Sequence, residues 1–295
     1  IIRLSILLGV GVILMFTGLG LLTYVHQQKQ TATSGNVSER FSEAASSAAL
    51  ETASRNDLDT ETAAATEKAQ KKKKKQSQTT DVSETTPVSA DDYLGLLQQQ
   101  SADLPKLKRI LKDPSRYPKS LLKALSKNSE MLDFVLHYPK KHKNAAAKSI
   151  GDDFVTGEIP ALIQWDERWG YAPYGSETII AVSGCGPTAL SMVISGLLQD
   201  ASITPAVVAD YASSNGYLDE NLDTKWELMT NGVEHFGISG SILGLDENAM
   251  INVLSVGCPI ICSMGPGIFT TTGHFIVLTG YQDGAFTVHD PASKV

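Results

Sequence analysis

Three cysteines in 295 residues, Cys185, Cys258 and Cys262, are too few and odd in number for a disulfide framework. Cys258 and Cys262 fall in Cys-Pro-Ile-Ile-Cys. On a strand they would stand about 13 Å apart at roughly 3.3 Å per residue, too far to bridge. No Cys/His cluster has the spacing of a structural zinc site, and neither a metal nor another cofactor is expected. Positive charge is not in excess either: the net charge is −7 and the isoelectric point near 5.4. Nucleic acid is therefore not an expected partner. The chain opens on Ile rather than Met, so its start is read as not native.

What is present falls into unlike stretches. Leu4 to Val25 carries no charged residue, and its 22 positions suffice to cross a bilayer as a helix. No small-x-small cleavage site follows, which favours an uncleaved anchor over 1–29 against a signal peptide. Residues 30–90 are rich in Ala, Ser, Thr, Glu, Gln and Lys, with almost no large apolar residue. Such a tract cannot bury enough surface to fold and reads as a disordered linker. Its roughly 60 residues would span about 40 Å root-mean-square. The run Lys71–Lys75 is either a solvated charge block or a contact for anionic lipid or wall polymer.

From 91 to 158 the apolar spacing is helical: Leu104, Leu107, Ile110 and Leu111, then Leu121, Leu122 and Leu125, then Leu132, Val135 and Leu136. Pro114, Pro118 and Pro139 punctuate these segments, which read as a spacer or a cover. Beyond 159 lie all three tryptophans and all three cysteines. Thr204-Pro205 suggests a helix start, and Asn215-Gly216 its stop. Lys225–Phe236 reads as a further helix, and so does the stretch from Asp246 to Val256. Pro259–Met264, His274–Tyr281 and Ala285–His289 read as strands, the last two joined through Gln282-Asp283-Gly284. Helices first and strands later give an α+β domain over 159–295.

The chemistry gathers around Ser183-Gly184-Cys185-Gly186-Pro187-Thr188-Ala189-Leu190. After Pro187 the apolar residues Leu190, Val193, Ile194, Leu197 and Leu198 keep helical spacing, which sets Cys185 just before a helix N-terminus. The macrodipole and free N–H groups there favour a thiolate. The same residue would also serve as a small side chain under a tight turn. A nucleophile needs a base, and the base an orienting group. His235 lies late in a helix, where the dipole alone accounts for a histidine. His274 opens a strand after the loop Gly265–Gly273, a suitable place for a base, or else is a core histidine. Asp290 shares a face with His274 if the hairpin loop has three residues. With two the parity flips, and Asp290 is left to cap its own turn before Pro291.

Ser-Gly-Cys-Gly-Pro-Thr-Ala-Leu, then Gly273-His274-Phe275-Ile276-Val277-Leu278-Thr279-Gly280-Tyr281, then His289-Asp290-Pro291, resembles the bacterial C39-like peptidases of the papain-like cysteine protease superfamily. Upstream, Ile163-Gln164-Trp165-Asp166-Glu167-Arg168-Trp169 resembles that family's entry motif. The resemblance implies a papain-like fold and a cysteine peptidase. Cys185 would be the nucleophile, His274 the base, Asp290 its orienting group and Gln164 an oxyanion donor. Better-known relatives fuse this domain to an export transporter. No ATP-binding motif or multi-span segment occurs here, so that specificity does not carry over. The chain stops five residues past Asp290 (291–295), and closing strands are expected to be missing.

The expected activity is a membrane-anchored, extracytoplasmic thiol hydrolase acting on a peptide or protein substrate. Acyl transfer of the transglutaminase-like kind would use the same residues. A binding module on an inactive fold, and a cytosolic domain on an inward-facing tether, are the other readings.

Overall fold

The computed structural model describes residues 13–18, as backbone, and 92–294. The linker 30–90 and Lys71–Lys75 lie outside the described residues. The described residues belong to one compact unit.

Four helices come first after Asp92: α1 (Tyr93–Gln100), α2 (Leu107–Leu111), α3 (Lys119–Lys127) and α4 (Leu132–Lys141). Asp92 caps α1 by accepting from Gly95 N at 2.8 Å. Pro139 does not end α4 but sits in its last turns. Near a C-terminus a missing N–H costs the helix one bond instead of splitting it. Leu97, Leu107, Ile110, Leu121, Leu125 and Val135 from these helices are fully buried. Their core is continuous with Trp165, Tyr171 and Ala181 from the following segment.

A short ribbon, β2 (Pro173–Tyr174) with β3 (Thr178–Ile179), leads into α5 (Ile180–Ser183) and then α6 (Cys185–Leu198). Residues 186–197 of α6 are all buried, so this helix is enclosed on every side. α7 (Pro205–Ser214) packs against it. The α7 start is as the sequence suggests, with Thr204 Oγ1 accepting from Val207 N at 3.4 Å. The single helix expected over Lys225–Phe236 is instead α8 (Glu227–Thr230) and a 3₁₀ segment, Gly232–Phe236. Gly232 marks the break, pressed against Tyr217 and Leu228.

The main sheet is antiparallel throughout, in the order β4-β1-β5-β6-β7. Its members are β1 (Ile13–Gly18), β4 (Ile238–Leu243), β5 (Ile260–Met264), β6 (His274–Gln282) and β7 (Ala285–His289). α9 (Glu247–Ser255) joins β4 to β5, capped by Asp246 Oδ1 accepting from Ala249 N at 2.8 Å. Ile261, Phe275 and Val277 pack into the core containing α6. Ile260, Cys262, Ile276 and Leu278 pack into a second core with Met250 and Leu254 of α9. The alternation of strand side chains thus places α6 and α9 on opposite faces.

β1 corrects one expectation. The transmembrane helix was expected over Leu4–Val25, yet Ile13–Gly18 is a strand, with Ile13 opposite Leu243 on one side and Cys262 on the other. An apolar run satisfies either state, and periodicity alone does not separate them. The ladders of β4 and β5 offer backbone partners that an isolated helix would not need. The rest of that run lies outside the described residues. Among the described residues, no helix is long and apolar enough to cross a membrane.

The β6–β7 turn differs from the three-residue loop by one residue. Gln282 pairs with Ala285, leaving the two-residue turn Asp283-Gly284 with φ of 54° and 76°. Both central residues in the left-handed region are the mark of a type I′ turn. A bulge at Thr279 then shifts the register, so that Leu278 faces Val288 and Val277 faces His289. One step further, Ile276 comes opposite Asp290, the pairing a three-residue loop would have produced.

Candidate active site

Cys185 is the first residue of α6, rather than preceding it, and is half-buried. Amides in the first turn of a helix have no intrahelical acceptor and point their donors outward. The glycines on either side of the cysteine are required by space. A Cβ on Gly184 would stand 2.5 Å from the carbonyl oxygen of Ile180, and one on Gly186 would stand 2.4 Å from Thr224 Oγ1. The chain therefore turns from α5 into α6 with its backbone against its neighbours. Thr224 is itself fixed by a 2.7 Å hydrogen bond with Tyr174 Oη in the interior. Burial raises the Tyr174 phenol well above its ordinary value, and Cys185 adds to the shift. Neither Tyr174 nor Thr224 carries a sequence signal linking it to the cysteine.

His274 is the first residue of β6 and is only 7% exposed. Its Nε2 lies 2.6 Å from Asp290 Oδ1, and Cys185 is near enough to act on its charge. With Nε2 turned to the carboxylate, Nδ1 is the ring nitrogen left for the thiol. Burial, the largest influence on this imidazole, opposes its positive charge. The hydrogen bond that Asp290 accepts, its charge and the nearby Cys185 together outweigh burial and raise the pKa to about 9.

Gln164 is buried, and its Nε2 donates to the Ala181 carbonyl at 3.0 Å. An amide nitrogen carries two protons, so one donor is committed there and a second is left. Ala181 belongs to α5, which leads directly to Cys185. The Gln164 backbone N–H donates to the Pro291 carbonyl at 2.8 Å, tying this residue to the segment just past Asp290. Of the four residues singled out in the sequence, His274 and Asp290 are in contact, Cys185 lies near His274, and Gln164 is tied to the segments leading to Cys185 and away from Asp290.

The remaining candidates sit elsewhere. His235 stacks on Tyr211 with ring centroids 4.2 Å apart. His289 points Nδ1 to the Pro160 carbonyl at 3.3 Å, and burial lowers its pKa. Cys258 and Cys262 are free and buried, and burial pushes their thiols up to about 11 and about 12. Neither would ionise near neutral pH, which marks them as packing residues. Trp165 and Trp169 are buried as well. Trp169 donates its indole N–H to the Ile163 carbonyl at 2.8 Å. Among the described residues, no group of three or more His, Cys, Asp or Glu is arranged to hold a metal ion.

No curated protein and no solved structure matches this chain. One family model does, the Peptidase_C39 like family, over residues 156–295. That span contains the cysteine, both members of the hairpin pair and the glutamine. An α+β architecture with antiparallel sheets is consistent with it. Residues 156–295 of this chain are thus similar to the C39-like peptidases.

Proposed function

We propose that this protein is a thiol hydrolase that cleaves peptide or amide bonds through Cys185, His274 and Asp290, with Gln164 as an oxyanion donor. Similarity to a peptidase family over residues 156–295 suggests a cysteine peptidase acting on a peptide or protein. The observation that carries the finer reading is the buried His274, bonded through Nε2 to Asp290 with Cys185 near enough to act on its charge.

The chemistry follows from these contacts. His274 Nδ1 accepts the thiol proton, and Asp290 stabilises the imidazolium that results. The Cys185 sulfur attacks the substrate carbonyl carbon, and the carbonyl π electrons move to oxygen. In this reading the oxyanion accepts from the second Nε2 proton of Gln164 and the backbone N–H of Cys185, donors of the kind that stabilise such a charge. The tetrahedral intermediate collapses as His274 Nδ1–H protonates the leaving amine, giving a thioester. Water then gives a proton to His274 and attacks the thioester carbon. The carboxylic acid leaves, and the sulfur recovers its proton.

The test is iodoacetamide labelling of Cys185 across pH in wild type, Cys185→Ala and His274→Ala. An activated Cys185 labels below the ordinary thiol range, while Cys258 and Cys262 stay protected until denaturation. Labelling with an ordinary thiol's pKa of about 8.5 would sink the reading.

Membrane attachment, an extracytoplasmic active site and contact of Lys71–Lys75 with anionic lipid or wall polymer form a separate proposal. It is supported by the uncharged run Leu4–Val25 and the lysine run alone. A strand over Ile13–Gly18 speaks against the anchor. Alkaline carbonate extraction of membranes decides it: an anchored protein stays in the pellet, and a released one removes the proposal.

A further inference from the structure

Asp290 lies past the end of β7, so the sheet ladder does not hold it. Its orientation comes from the turn it opens. Asp290 Oδ1 accepts from His274 Nε2 at 2.6 Å and also from the Ala292 backbone N–H at 2.7 Å. The Ala292 carbonyl accepts from Asn128 Nδ2 at 2.7 Å. Between them the Pro291 carbonyl accepts from Gln164 N at 2.8 Å. Two consecutive peptides thus link the orienting carboxylate to the oxyanion glutamine, and one outside side chain grips them.

That side chain belongs to the helical region. Asn128 precedes a short 3₁₀ turn, Ser129–Met131, and its Oδ1 accepts from Glu130 N at 3.1 Å. Its amide is divided between the two tasks: the oxygen caps its own turn, and the nitrogen reaches 164 positions along the chain. The Glu130 carboxylate accepts from Lys294 N at 2.9 Å and from Ser293 Oγ at 3.3 Å, extending the same clamp. Lys294 Nζ lies over the Trp165 ring, 4.5 Å from its centroid.

We infer that Asn128 is a positioning residue for Asp290, and that the helical region is a working part of the active site. The inference rests on the hydrolase reading above. Losing the Asn128 donor frees the Ala292 carbonyl and loosens the turn that Asp290 opens. The Ala292 N–H that steadies Asp290 Oδ1 against His274 is then held from outside only through the Gln164 contact to its own peptide. Catalytic geometry is sensitive to such shifts, since a displacement of about 1 Å can cost up to about 100-fold in rate.

Asn128→Asp tests this in the full chain. It keeps the acceptor for Glu130 N, removes the donor to Ala292, and sets oxygen against oxygen. The readout is the pH profile of Cys185 alkylation by iodoacetamide, which needs no substrate. The expected result is a fall of about tenfold in labelling rate near pH 6, with the profile moved toward an ordinary thiol. Leu97→Ala, in the same helical core but away from the turn, lowers the melting temperature and leaves the profile in place. If Asn128→Asp melts below the assay temperature, Asn128→Ser keeps an oxygen for Glu130 N and carries the same expectation. An activated Cys185 that neither Asn128 variant alters overturns the positioning role alone, and so does an equal change from Leu97→Ala. An ordinary wild-type Cys185 overturns the hydrolase reading, and the inference with it.

Discussion

The two halves of the candidate site are built by different physics. On the cysteine side, Gly184 has an ordinary φ of −91° but no room: its absent Cβ would strike a backbone carbonyl. On the histidine side, Gly284 has nothing within 4 Å of where a Cβ would go, but its φ is +76°. The first half is fixed by crowding and the second by torsion. Crowding comes from residues brought together by the fold, such as Thr224 against Gly186. Torsion is local to the turn, yet through strand register it decides what lies opposite what at the far end of the hairpin. Five variants separate these contributions, three on the cysteine side and two on the histidine side.

The largest expected effect is on the cysteine side. Gln164→Ala removes the donor proposed for the developing oxyanion, and losing one such donor costs about 10²–10³ in kcat. Labelling of Cys185 by iodoacetamide should hardly change, because alkylation forms no oxyanion. A variant that loses turnover and labelling together would mean that Gln164 holds the loop and does not serve the transition state.

Next is Asp290→Asn, on the histidine side. It keeps an oxygen for Ala292 N–H and removes the charge. The His274 pKa is raised to about 9 in the folded protein, above its ordinary 6.5. A raised histidine adds stability that is fully present below about 6.5 and is lost as pH rises through about 9. The stability gap between wild type and Asp290→Asn should therefore be widest near pH 6, at no more than about 3 kcal/mol, and close above pH 9. Chemical denaturation across pH measures it. A gap that grew with pH would reverse the assigned sign.

Gly184→Ala and Gly186→Ala form the third comparison. Overpacking costs roughly 1–3 kcal/mol, and the obstacle decides where in that range a variant falls. At Gly184 the obstacle is the Ile180 backbone, with Cβ to O at 2.5 Å, which has nowhere to go. At Gly186 it is the Thr224 side chain. Gly184→Ala should be the costlier, and Thr224→Gly should rescue Gly186→Ala only. Equal costs without rescue would show that both glycines answer to helix propensity instead of contact.

What the sequence disclosed follows the same division. Caps and period fixed α7 and α9, since Thr204, Pro205 and Asp246 act within their own first turn. The two strands were visible as apolar runs, and Ala285–His289 begins and ends where the residues suggested. The register was not visible, because it rests on two one-residue decisions that offset each other. Asp283-Gly284 is a two-residue turn signal in its own right. Gly280, inside a strand, is a known companion of bulges. Reading either alone gives the wrong face for Asp290. The strand at Ile13–Gly18 and the Asn128 contact to Ala292 were beyond reach for another reason. Both depend on partners more than 150 residues away, which no local pattern encodes.

The smallest effect distinguishes torsion from crowding most cleanly. Gly284→Ala adds a Cβ into open space, so any cost must come from φ at +76°. Holding a non-glycine residue in the left-handed region costs about 1–2 kcal/mol. Thermal denaturation should show that loss, while turnover per folded molecule is unchanged, because the bulge at Thr279 still brings Ile276 opposite Asp290. A loss of turnover in folded protein would mean that the turn slipped by one residue under the strain. In that case Asp290 would lie opposite Val277, on the other parity, and the contact with His274 would be gone. The hairpin's chemistry would then depend on its turn as closely as the nucleophile's depends on its glycines.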